Sequence, residues 1–110
     1  IIRLSDVYLI AAEAAVKTGG DATSYINTLR KNRIEGYTDV ASVTLEDILF
    51  ERRIELFAEN SMAFDYWRNK MSVKNPNVGE VNYDDYRVIL PIPQDEINLA
   101  PDVLIQNPGY

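Results

Sequence analysis

From Val7 to Val16 the chain is apolar at almost every position, and Glu13 is the one charge. That run predicts a helix over Leu4–Lys17, with so narrow a polar stripe that several of its sides are buried. Thr18-Gly19-Gly20-Asp21 follows, offering a glycine to end one helix and an aspartate to cap the next. Ala22, Tyr25, Ile26, Leu29 and Arg33/Ile34 then recur at i, i+3, i+4 and i+7, which predicts a second helix over Ala22–Ile34. Two helices with so short a connection form an antiparallel hairpin. Glu35–Ser42 reads as loop. Thr44 with Asp47 three residues later is a capping-box start for a third helix, over Leu45–Glu59.

Asn60-Ser61 marks a break before a short helix in Met62–Lys70. The segment 72–85, punctuated by Pro76 and Gly79, reads as loop. Alternation at Tyr86, Val88 and Leu90 predicts a short strand. The last stretch, LPIPQDEINLAPDVLIQNPGY, holds too many prolines for a long helix and too many apolar residues for a loose tail. The fold class expected is mostly α. Its hairpins are tetratricopeptide-like, its proline-rich C-terminal segment is largely irregular, and it has at most one short strand.

The third helix carries its charges in an unusual place. On a helical wheel Leu45, Ile48, Leu49 and Leu56 share a sector with Arg52, Glu55 and Glu59, while Phe50, Ile54, Phe57 and Ala58 lie opposite. Apolar residues on two faces predict burial on both, so the charges between them need partners. Arg52 and Glu55 are one helical turn apart and are the expected pair, with Glu59, Asp65 and Arg68 extending the network. The competing reading treats Glu55, Glu59 and Asp65 as the paired carboxylates of a glycoside hydrolase. Arginines in register with these acids keep all of them ionised, whereas a general acid must hold its proton, which favours the structural reading.

Composition narrows the chemistry further. The 110 residues are enough for one core and carry a net charge of −6, so nucleic acid is a poor partner. Cysteine and histidine are both absent, which removes disulfides, thiol nucleophiles, histidine bases and the usual zinc sites. Asp84 and Asp85 beside Asn82 lack the glycine and distal glutamate of a known calcium loop, so no metal and no cofactor is expected. No apolar stretch reaches the ~20 residues of a membrane span. The opening, apolar and without an initiator methionine, reads as a piece of a longer chain with any targeting signal upstream.

Three blocks in order carry a resemblance. RLSDVYLIAAEAAVKTGG resembles the helix that follows an arginine-leucine-alanine-aspartate start in the SusD/RagB family of outer-membrane nutrient-binding lipoproteins. LEDILFERRIELFAENSMAFDYWRN resembles that family's charged signature through Glu51, Arg52, Arg53, Glu55, Leu56, Glu59, Phe64, Asp65 and Arg68. The coda keeps the pattern of the family's ending, from Leu90-Pro91-Ile92-Pro93 to Asn107-Pro108-Gly109-Tyr110. Asn60, Ser61 and Met62 depart from the family's glycine, histidine or tyrosine, and arginine, and Ala100 replaces an asparagine.

The resemblance implies that residues 1–110 are one C-terminal helical segment of a longer SusD-like protein. It implies a surface lipoprotein of the outer membrane, anchored by an N-terminal lipid outside this chain, that binds oligosaccharide and passes it to a SusC-like TonB-dependent transporter. Such proteins bind and do not cleave. The main glycan platform lies upstream in the family, so this segment is mainly scaffold and the coda a clasp over the helical body. Where a sugar does touch it, aromatic faces are the candidates: Tyr83 and Tyr86 on the loop 80–87, and Trp67. A helical-repeat module that docks a protein partner is the alternative class.

Overall fold

The computed structural model describes residues 2–59 and 62–110. Its chain divides into two compact units, Ile1–Met62 and Ala63–Tyr110.

In the first unit α1 (Leu4–Thr18) and α2 (Thr23–Lys31) pack together, and α3 (Leu45–Glu55) packs on α1. The caps read from the sequence are in place. Gly19 closes α1 in the left-handed conformation (φ 76°), and the Gly20 N–H reaches back to the Ala15 carbonyl at 2.8 Å. The Asp21 carboxylate accepts from the Thr23 and Ser24 amides at 3.0 and 3.2 Å. At the start of α3 the Thr44 hydroxyl accepts from the Asp47 amide and the Asp47 carboxylate accepts from the Thr44 amide. The core is Leu9, Ala12, Ala22, Ile26, Leu29 and Ile48, with Ala15, Val16 and Val43 at its edge.

Two helices end earlier than their apolar spacing predicts. After Lys31 the amides of Arg33 and Ile34 both bond to the Arg30 carbonyl, tightening the chain into a turn. Beyond Glu55 the amides of Phe57 and Glu59 take partners three residues back, and Ala58 adopts a left-handed φ of 65°. The expected break at Asn60-Ser61 lies outside the described residues. Burial also differs from expectation. α1 buries Ser5, Leu9, Ala12 and Glu13, while Leu4, Val7 and Ile10 are exposed. On α3, Ile48, Leu49 and Arg52 are buried, but Phe50, Ile54 and, just beyond the helix, Phe57 face outward. One face of each helix is covered in this chain, not several.

The second unit holds most of α4 (Met62–Arg68), an antiparallel pair β1 (Val73–Asn75) and β2 (Gly79–Val81), and α5 (Gln94–Leu99). Val73 pairs with Val81 and Asn75 with Gly79, so the segment read as loop is a small hairpin. Gly79, at φ 77°, makes the return. The strand expected at 86–90 does not form. The Asp85 carboxylate accepts from the Arg87 amide, and Tyr86–Val88 winds into a 3-10 turn instead.

The coda closes on residues 86–92. The Gln106 carboxamide bonds both the N–H and the carbonyl of Ile92 at 2.9 Å, as a neighbouring strand would. Asn107 donates to the Leu90 carbonyl and the Tyr110 hydroxyl to that of Ile89. Gly109 at φ 97°, with the Tyr110 amide 3.4 Å from the Asn107 carbonyl, makes the proline-glycine turn read from the sequence. The coda's large apolar residues Leu90, Leu99, Val103 and Ile105 remain exposed.

A Cβ at Gly109 would stand 2.5 Å from Cγ of Tyr86 on a backbone that side chains disfavour. Gly109→Ala is expected to cost roughly 1–3 kcal/mol. Thermal unfolding checks the loss, and the ring proton shifts of Tyr86 and Tyr110 should move with it.

Candidate functional site

The aromatic residues singled out for sugar contact all lie in the second unit. The Trp67 indole N–H donates to the Val81 carbonyl at 3.3 Å, and its ring meets Phe64 edge-on at 5.9 Å. Trp67 is thereby tied to β2 and only partly accessible. Tyr83 stands exposed on the turn whose Asp85 amide bonds the Asn82 carbonyl.

Tyr86 is about half exposed and has a partner that helical and strand periodicity could not indicate. Tyr110, 24 positions later in the 110-residue chain, lies ring to ring with it at 5.1 Å and 77°. The contact follows from the proline-glycine turn, since Gly109 leaves room for the Tyr86 ring. Such an edge-to-face pair fixes both rings while leaving part of each open to a ligand. Among the described residues no ring contact joins Tyr83 or Trp67 to this pair.

Beside the tyrosines sits a planar ion pair. The Arg87 guanidinium donates from Nε and Nη2 to the two oxygens of Asp85 at 2.8 and 2.7 Å, and from Nη1 to the Val78 carbonyl at 3.2 Å. These hydrogen bonds from Arg87, side chain first and backbone second, lower the Asp85 pKa to about 2. Both carboxylate oxygens of Asp85 are therefore engaged. Among the described residues no group of three or more acids is placed to hold a metal.

The charged positions of α3 are distributed differently from the intrahelical pairing expected. Arg52, only 6% exposed, donates to Asp6 of α1 at 3.0 Å. Glu55 takes both Nε and Nη2 of Arg33 at 3.0 and 2.8 Å, and its backbone carbonyl accepts from Arg3 at 2.8 Å. Glu51 takes Arg30 of α2, and Glu59 pairs with Arg3. Asp65 and Arg68 of α4 pair with each other at 2.7 Å. Nothing in the sequence marks Arg3, Asp6, Arg30 or Arg33 as the partners of these charges. The pattern within one helix says nothing about which charge a neighbouring helix will present.

Arg33 hydrogen bonds are the main reason the Glu55 carboxyl is held below its usual range, against the opposing effect of burial.

The sequence model of the SusD family matches residues 1–110, and the chain belongs to that family. It is 34% identical to the starch-binding protein SusD of Bacteroides thetaiotaomicron, over all of this chain and 21% of that protein. It is likewise 34% identical to SusD-like protein P2 of Formosa agariphila, over 99% of this chain and 25% of that one. The chain thus spans a fifth to a quarter of the length of the curated relatives it matches. Among solved structures, a SusD superfamily protein of Bacteroides vulgatus shares 40% identity at a TM-score of 0.86, covering 100% of this chain and 27% of the other. One from Bacteroides thetaiotaomicron shares 38% identity at a TM-score of 0.86, covering 98% and 27%.

Two titrations follow from the ion pairs. Asp85 should titrate near pH 2 in a carbon-detected carboxyl NMR series, and Arg87→Ala should return it to the usual aspartate range. Glu55 has a folded pKa below its usual 4.5, so its contribution is complete above that value. It is lost as pH falls through the lower, folded value. Glu55→Gln should therefore cost roughly 1–3 kcal/mol at pH 7, with the gap from the parent closing in strong acid. Thermal melts of both proteins at the two extremes measure it.

Proposed function

We propose that this chain is the C-terminal part of a glycan-binding protein of the bacterial outer surface, and that its own contribution is chiefly structural. The observation that carries the reading is the match of the whole chain to a starch-binding relative about five times longer. The outward-facing Val7 and Ile10 of α1, and Phe50, Ile54 and Phe57 in and beyond α3, support a place inside a larger body. Attachment to the membrane through a lipid upstream of this chain is part of the same reading. Delivery of the bound oligosaccharide to a SusC-like TonB-dependent transporter completes it.

Binding without cleavage is the chemistry the acids favour. Glu55 is held by Arg33, Glu59 by Arg3 and Asp65 by Arg68, and for Glu55 that pairing lowers the carboxyl's pKa and makes it a poor proton donor. The half-exposed Tyr86–Tyr110 pair beside the Asp85–Arg87 pair, with Tyr83 on the same turn, is the part of this chain best suited to meet a saccharide. Trp67, tied down by Val81, serves packing first.

Calorimetric titration with malto-oligosaccharides tests the proposal. The complete protein should bind measurably, and this chain alone roughly tenfold or more weakly. Tight binding by the 110 residues alone would overturn the scaffold role, and Tyr86→Ala in the complete protein should weaken binding by a few-fold at most if the main platform lies upstream.

A further inference from the structure

Between the start of α1 and the end of α2 lies a recess of about 250 Å³, lined by Leu4, Ser5, Tyr8, Thr28, Leu29, Asn32 and Arg33. It falls below the roughly 300 Å³ at which pockets for drug-sized ligands begin, so it is sized for one ring. Its chemistry is specific. Tyr8 supplies an aromatic wall, braced edge-on by Tyr25 at 5.9 Å. The Asn32 amide nitrogen already bonds the Thr28 carbonyl at 2.8 Å, which orients the side chain. Among the described residues Asn32 Oδ1, the Tyr8 hydroxyl and Nη1 of Arg33 make no hydrogen bond and remain for a ligand.

Charge decides the class of ligand. Arg33 would draw an anion if it were alone, but Glu55 takes two of its donors and neutralises it. The recess therefore offers hydrogen-bond donors and acceptors around an aromatic face without net charge, the combination that suits a neutral polyhydroxylated ring. A larger groove on the other side of α2, lined by Asp21, Asn27, Lys31 and Asp39, has no aromatic wall. Its polar groups are spent on one another and on the backbone.

We propose that the Tyr8–Asn32–Arg33 recess is a secondary saccharide subsite that takes a single neutral pyranose unit. The subsite rests on the glycan-binding reading and lies in the first unit, apart from the tyrosines of the second.

The test is an amide-shift NMR titration of this chain with methyl α-glucopyranoside, run beside one with maltoheptaose. About a dozen heavy atoms support a Kd on the order of a millimolar. Saturable shifts confined to the surroundings of Tyr8, Thr28, Asn32 and Arg33, weakened about tenfold in Asn32→Ala and about threefold in Tyr8→Phe, which keeps the ring and loses the hydroxyl, are expected. Asn32 lies past the end of α2, and circular dichroism is the check that the variant stays folded. Monosaccharide shifts that map elsewhere or persist unchanged in Asn32→Ala overturn the subsite, as does binding of maltoheptaose without any response from these residues. If neither sugar binds this chain or the complete protein, the glycan reading fails as well.

Discussion

A charge that loses water must find another charge, and α3 is built around that requirement. Arg52 is almost wholly enclosed, and Asp6 of α1 answers it. Glu51 is answered by Arg30 of α2, and Glu55 by Arg33 just beyond α2. Each pair joins α3 to another part of the first unit. Apolar burial around Leu9, Ile26 and Ile48 provides the driving force for that unit, but it is tolerant of rotation and sliding. The bidentate Arg33–Glu55 contact is not, because two parallel bonds fix direction as well as distance. The ion pairs therefore set how α3 lies against its neighbours.

The same logic recurs on a smaller scale in the second unit. Asp85 and Arg87 form a flat pair that also reaches Val78 in the β1–β2 turn, and it turns what periodicity reads as a strand into a 3-10 turn. Closure of the C-terminus is carried by polar side chains that imitate backbone. Gln106 pairs with Ile92, and Asn107 and Tyr110 with the carbonyls of Leu90 and Ile89. A proline-rich segment lacks amide donors for a ladder of its own, so borrowed carboxamides are a natural way to hold it.

Function in this chain follows from what these contacts leave open. Glu55 and Asp85, each bonded to an arginine, have lowered pKa values, while partly exposed rings held by their neighbours make rigid contact surfaces. Tyr86 with Tyr110, and Tyr8 with Tyr25, are two such surfaces in two separate units. The outward apolar stripe of Phe50 and Ile54 on α3 and Phe57 just beyond it is a third kind of surface, one suited to burial against more protein.

Much of the local structure was legible in the residues alone. Gly19, Asp21 and the Thr44–Asp47 box mark helix ends because capping is decided within four residues. Asn107-Pro108-Gly109 marks its turn for the same reason. The blocks shared with the SusD family were legible too, since a signature is a property of order along the chain. What the tertiary structure decided is which distant groups meet. Arg52 joins Asp6 of α1, Tyr86 finds Tyr110, and three-residue strands at Val73 and Gly79 pair across a turn. Periodicity reports that a side chain needs cover or a counter-charge. Only the packing of elements in space determines what supplies it.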